Sequence, residues 1–321
     1  MSETSAERQV IDAERQRALE RQGNRRRMGG SEGGFAALLL GPTVAFLSIF
    51  GLFPLGRSVW MSLRSYKLSQ PWTGFPFVGL QNYLRIFSDH AVMDAIRVTL
   101  VYVLVTVTFQ VIFGLVIALL LHPPYRGRGV TRTLMLLPWT LSPVLAGVMW
   151  SWMFNSSHGV INDLLIRLGL VSLEQPILWL GDPDLALWSV MAAAVWGASS
   201  YCALLLLAGL QGIPDELYEA ARIDGASGMR SFWTMTLPLL RPAVMVAVTL
   251  RTLGALQAFD LPYAMTGGGP GNATQTLPMY IHQYTFGFLD FGYGSALAVV
   301  LMLIGLTLAI VYVRALSSEE A

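Results

Sequence analysis

Few residues of this 321-residue sequence have the chemistry to act on a solute, and those few sit in apolar company. Arg251, Gln257 and Asp260 fall in the apolar run 239–260. An ionisable side chain at the centre of a membrane helix costs about 2.5–3.5 kcal/mol on insertion scales, so it usually faces a bundle interior or a wet cavity. On one continuous helix, Gln257 and Asp260 are three residues apart and share a face, with Phe259 adjacent. Together they offer hydrogen bonds and an aromatic surface to a hydroxyl-rich solute. Arg251 and Asp260 lie nine residues apart, which at about 100° per residue puts them on opposite faces. Arg251 must then find another partner, and the anion of a phosphorylated or sulfonated polyol is one. In the run 187–209, Trp196, Ser199, Ser200 and Tyr201 form a similar polar-aromatic patch. The same residue types also serve interhelical packing or an interface belt, and both uses stay open for each of them.

Other chemistry is poorly provided for. His90, His122, His158 and His282 lie in different connecting segments without ligand spacing, so no metal site is expected. The single cysteine, Cys202, lies in an apolar run; it leaves no intramolecular disulfide to form and reads as a small buried hydrophobe. No G-x-S-x-G elbow occurs. The one lysine, Lys67, is followed by Leu68, which rules out a G-x-x-x-x-G-K-[ST] phosphate loop. The stretch "TGGGPG" (266–271) has no following lysine or helix start to make a phosphate cradle. We therefore expect no catalytic residues and no cofactor in this chain. With a net charge of +1 and basic residues not pooled into one patch, nucleic acid is not an expected partner.

The elements that must position these groups are membrane helices. Apolar residues make up 54% of the chain and charged ones 13%, against roughly 25% charged in soluble domains, which points to a polytopic membrane protein. Apolar runs at 35–55, 97–121, 133–154, 187–209, 239–260 and 294–313 are each close to the roughly 20 residues that cross a hydrocarbon core. The expected fold is thus all-α with six transmembrane helices, a domain spanning 35–315 between tails at 1–34 and 316–321. The first tail is too long and too polar for the charged end of a cleaved signal peptide. Six spans put both termini on one side of the bilayer. That side carries 14 Lys and Arg residues against 6 on the other, so the termini are expected to be cytoplasmic. The external "GVINDLLIRLGL" (159–170) has the apolar spacing of an amphipathic interfacial helix.

This orientation places "DELYEAARIDGASGMRSFWTMTLP" (215–238) in the cytosol. Pro214 suits a first helical position, and Asp215 and Glu216 suit the positive end of a helix dipole. Gly225 can take the left-handed conformation that ends this helix, Ser227 can cap a second short helix, and Pro238 precedes the next span. Ala220 and Ala221 present little side chain, with Glu219 beside them as a charged handle. The segment reads as a docking site for another protein or as an ordinary amphipathic loop.

Glu219-Ala220-Ala221, Gly225, Met235, Leu237 and Pro238 resemble the E-A-A-x₃-G-x₉-I-x-L-P loop of binding-protein-dependent ABC importer permeases, with Met235 in place of the usual Ile. "FVGLQNYLRIF" (77–87), "GLQGIPDELYEAARIDGA" (209–226) and "MTGGGPGNATQTLPMYIHQYTFGF" (265–288) resemble the carbohydrate branch, of the maltose and glycerol-3-phosphate permease type. The resemblance covers about 35–315. It implies a bacterial or archaeal plasma membrane and half of a translocation path for a sugar, polyol or related glycerol derivative. It implies as partners a second permease chain, two copies of an ATPase that bind ATP and Mg, and an external solute-binding protein, part of whose docking surface is the "TGGGP" stretch. The coupling residues it implies are Glu219, Ala220, Ala221, Asp224 and Gly225, in a loop at about 210–238. Competing expectations are an ABC permease for amino acids or peptides, and a proton- or sodium-coupled transporter.

Overall fold

The computed structural model describes residues 38–317; the expected tail at 1–34, and the C-terminal one beyond Ser317, lie outside the described residues. The chain divides into two compact units, one ending at Trp60 and one beginning at Met61. In the first unit the described residues are helical and belong to the candidate span α1 (Leu38–Ser62), none of which is buried in its most apolar window. Pro54 has no N–H to offer, and just ahead of it Ser48–Leu52 shifts to π-helical pairing, Phe53 N–H bonding Ser48 O.

From Met61 onward the described α-helices are α2 (Gln81–Ser88), α3 (His90–Leu121), α4 (Arg128–Thr140), α5 (Pro143–Met153), α6 (Val160–Arg167), α7 (Pro183–Gln211), α8 (Asp215–Ile223), α9 (Gly228–Leu256), α10 (Asp260–Thr266), α11 (Leu277–His282) and α12 (Phe291–Ser317). Among the described residues, five helices are long and apolar enough to cross a membrane, and the bent pair α4–α5 makes a sixth crossing if taken as one. No strand occurs among the described residues, only isolated bridges at Arg64–Phe77 and Lys67–Asp290.

The expected runs differ in extent from the helices observed, α1 continuing to Ser62, seven residues past the run 35–55. The run 133–154 is not one straight helix: α4 and α5 meet at 90°. Pro143 opens α5, and Ser142 before it is held at ψ 136, outside the helical region, as a residue preceding proline tends to be. α3 starts seven residues before the run 97–121, because Asp89 caps it by accepting Ala91 N–H at 3.1 Å. α9 starts before the run 239–260 and stops short of its end. The short helix capped by Ser227 continues through a π-helical turn at Phe232–Thr236 and past Pro238 into the span, which ends at Leu256.

The bundle is built on α3 and α7, which pack along much of their length. Gly114 permits this: a Cβ there would fall 2.5 Å from Cys202 Cβ and 3.0 Å from Ala203 N. Gly147 plays the same part between α5 and α10, where a Cβ would lie 2.8 Å from Ala264 Cβ. On α6, Asn162 is 2% exposed and donates to Ser156 O and Ile177 O, while Leu164 and Leu168 stay exposed, as the amphipathic reading expects.

One end of the second unit is held by charges. Asp290, 6% exposed, accepts Arg85 Nη1 at 3.2 Å and Tyr293 N–H at 3.1 Å, with Lys67 Nζ 3.8 Å away. The Arg85 guanidinium lies 4.0 Å over the Tyr293 ring. Asp89 accepts the hydroxyls of Tyr293 at 3.0 Å and Tyr280 at 3.3 Å. Burial, with Tyr284 and Asp89 close by, pushes the Tyr280 phenol up, so it stays protonated as a donor. Asp290→Leu would strand Arg85 and a backbone N–H. We expect it to destabilise this end by about 1–3 kcal/mol, read as a lower melting temperature of the purified protein; an unchanged temperature would make the cluster a solvated surface feature.

Candidate functional site

A cavity of about 440 Å³ opens where two helices are interrupted, a volume within the range of small-molecule sites. One wall is the α4–α5 elbow, with Pro138, Trp139, Leu141 and Pro143. Another is the junction of α9 and α10, with Gln257, Ala258, Phe259 and Asp260. Tyr102 and Gln110 of α3 and Arg251 of α9 lie further along the lining, and the small residues Ala193, Ala194, Gly197 and Ala198 of α7 keep room in it. Irregular backbone at membrane depth is tolerated where it is buried in protein or lines a wet cavity, and broken helices commonly carry the solute site of a transporter.

The break at Leu256 changes the geometry expected for the solute-facing residues. Gln257 ends α9, Phe259 precedes α10 and Asp260 opens it, so Gln257 and Asp260 do not share a face of one helix. Nor does helical arithmetic separate Arg251 from Asp260: both line the same cavity, without an ion pair between them. Arg251 Nε donates to Gln110 Oε1 at 2.8 Å. Gln110, 1% exposed, donates in turn from Nε2 to Ala194 O at 3.2 Å.

Trp196 and Tyr201 are not among the lining residues. Trp196 packs edge-on against Trp150, with ring centroids 5.6 Å apart, and Tyr201 stacks on Trp139 at 5.2 Å, behind the wall that Trp139 forms. Ser199 bonds Val195 O in its own helix. In the patch expected in the run 187–209, Trp196, Ser199 and Tyr201 thus make ring-packing and intrahelical contacts.

Gln110, Trp139 and Tyr263 were not singled out by sequence reasoning. A lone amide in the 32-residue apolar α3 was the available signal for Gln110. Phe259 stacks on Tyr263 at 5.0 Å and approaches His282 at 5.0 Å, and His282 lies 5.1 Å from Phe286. These rings lead from the cavity to a second recess of about 620 Å³ lined by Tyr263, Thr266, Asn272, Gln275 and His282. In the turn beside it, Gly267, Gly268 and Gly271 have positive φ, and Thr274 holds Gly269 O and the Thr266 hydroxyl.

α8 follows the sequence closely except at its start, where Pro214, expected as the first helical residue, is extended at ψ 135 and precedes the helix; Asp215 and Glu216 fill the first turn, and Gly225 turns the chain at φ +76. Ser227 then accepts Arg230 N–H. Glu219, Ala220, Arg222, Ile223 and Asp224 are exposed, Ile223 at 86%. Ala221 differs from the expectation of an open alanine pair: it is 7% exposed and turned into its own chain. Tyr218, on the same side, bonds the Thr236 hydroxyl at 3.2 Å and packs against the cluster of Leu210, Ile213 and Leu240. α8 is therefore anchored to α7 and α9 and presents its other side outward.

A helical membrane bundle whose spans break around a cavity of metabolite size defines a membrane transport protein. The chain belongs to the family of binding-protein-dependent transport system inner membrane components, which matches residues 110–318. It is 42% identical over 287 residues to the sulfoquinovosyl glycerol transport system permease protein of Agrobacterium fabrum, covering 89% of this chain and 91% of that one. It is 39% identical to the trehalose/maltose transport system permease protein of Thermococcus litoralis, covering 86% and 92%. A bacterial ABC transporter involved in importing the acidic polysaccharide alginate shares the fold, with a TM-score of 0.77 at 19% identity, covering 90% of this chain and 96% of that one.

Proposed function

We propose that this chain is one of two permease subunits of an ATP-driven importer for a sugar, polyol or related glycerol derivative, and that the cavity at the α9–α10 break is part of its path. The observation that carries the reading is the meeting of Gln257, Phe259, Asp260 and Arg251 on one cavity from a discontinuous span. The solutes named for the relatives, sulfoquinovosyl glycerol and trehalose or maltose, favour a carbohydrate class.

In this reading, a loaded binding protein docks outside and two ATPase chains, which hold ATP and Mg, close from the cytosol. α8 seats on an ATPase through Glu219, Ala220 and Asp224, and Gly225 sets the turn. Ala221 serves from within, as part of the joint by which ATPase movement reaches α7 and α9. The spans then alternate between outward and inward openings before hydrolysis resets them. The termini face the cytosol.

The test is uptake into proteoliposomes holding the chain with its second permease and ATPase. Uptake of a sugar or polyol that requires ATP and binding protein is expected. Uptake driven by a proton or sodium gradient without ATP would overturn the proposal, and uptake of amino acids or peptides alone would overturn the solute class. For orientation, single cysteines introduced at Arg128 and Gly225 in a Cys202→Ala background are expected to react with an impermeant maleimide only from the cytosolic side, and one at Gly269 only from outside. External labelling at Gly225 would reverse the topology.

A further inference from the structure

The cavity holds a cation whose neighbours leave its charge uncompensated. Arg251 makes one hydrogen bond, Nε to Gln110 Oε1 at 2.8 Å. Gln110 is neutral, and its amide orientation is fixed because Nε2 donates to Ala194 O. Nη1 and Nη2 have no hydrogen-bond partner among the described residues, and no carboxylate there lies within 4.0 Å of the guanidinium. Gly254 lines the cavity beside the guanidinium, where a Cβ would be in ordinary van der Waals contact with Nη1 at 3.6 Å.

A guanidinium held at Nε and free at both terminal nitrogens presents two parallel donors, the geometry that receives a sulfonate, phosphate or carboxylate. A hydroxyl would fill the same space and leave the charge unneutralised. Asp260 and Gln257 line the same cavity. As an acceptor, Asp260 suits hydroxyl hydrogens and repels an anion, which orients a solute carrying both.

We propose that Arg251 makes the cavity selective for hydroxyl-rich solutes that carry an oxyanion. The anion meets the Nη1/Nη2 pair, and the hydroxyls face Gln257 and Asp260. This rests on the reading of the cavity as the solute path and narrows its solute from sugars and polyols in general to their acidic derivatives.

The experiment is equilibrium binding of radiolabelled probes to the purified complete transporter without its binding protein, so that the cavity's own preference is read. The probes are glucose, 6-deoxy-6-sulfoglucose, glucose 6-phosphate and glucuronate. At least one anionic probe is expected to bind at least tenfold tighter than glucose, and the ranking of the three identifies the anion. Arg251→Gln is expected to abolish that preference. Gln110→Glu, which places a carboxylate against Arg251 while keeping the guanidinium, is expected to reduce it at least tenfold, and it decides the matter should Arg251→Gln fail to assemble. Equal binding of glucose and the anions by the unaltered transporter would overturn the proposal and leave the solute path standing. So would an anion preference that Gln110→Glu leaves intact. Failure of all four probes to bind would overturn the solute path, and the proposal with it.

Discussion

Ala220→Asp is expected to abolish ATP-driven uptake while leaving the chain in the membrane and joined to its second permease. Ala220 is exposed on α8 beside Glu219, which leaves room for a larger side chain there among the described residues. Against an ATPase surface the added carboxylate would be desolvated without a partner, a heavily destabilising change at an interface. Truncating one member of a buried interfacial charge pair typically costs about 2–5 kcal/mol, so Glu219→Ala should weaken ATPase retention roughly thirtyfold or more. Ala221→Asp is a different experiment. Its carboxylate would enter the chain's own packing, where Ala221 is 7% exposed and its carbonyl accepts Ala226 N–H at 2.9 Å, so the yield of folded chain should fall. Co-purification of the ATPase with each variant, together with uptake in proteoliposomes, separates the two. Full ATPase retention and normal uptake by Ala220→Asp would reduce α8 to an ordinary surface helix.

That contrast marks what the sequence could and could not reveal. The helix, turn and cap of 215–231 are legible because their signals are local: acids in a first turn, a glycine at positive φ, a serine whose hydroxyl reaches three residues ahead. Which side of α8 turns inward is not local. Tyr218 points inward because its hydroxyl meets Thr236, eighteen residues away, and Ala221 follows one helical turn later. The same division runs through the membrane part. Apolar windows locate the crossings, but hydropathy is blind to direction, and the 90° elbow between α4 and α5 falls inside one such window. The 100° rule that sets Arg251 and Asp260 apart holds only along an unbroken helix. α9 ends between them, and this break is what brings both to one cavity.

Gly114→Leu is expected to damage the fold and the cavity together. A Cβ at Gly114 would come 2.5 Å from Cys202 Cβ and 3.0 Å from Ala203 N, and a backbone nitrogen cannot rotate out of the way, so α3 must move off α7. Overpacking by a single methylene group commonly costs about 1–3 kcal/mol, and leucine brings several carbons into the same contact. Gln110 lies four residues earlier on the same face of α3, bonded both to Ala194 of α7 and to Arg251 of α9. Separating the helices should therefore stretch the bonds that hold Arg251. The expected result is a lower melting temperature of the purified transporter and weaker solute binding, larger for leucine than for alanine. Gly114→Ala combined with Cys202→Gly removes the closer of the two clashes and should recover part of the stability, giving a positive coupling in the double-mutant cycle. A Gly114→Leu protein as stable as the unaltered one would mean that α3 and α7 do not meet at this contact in the membrane, and the position assigned to Arg251 through Gln110 would lose its support.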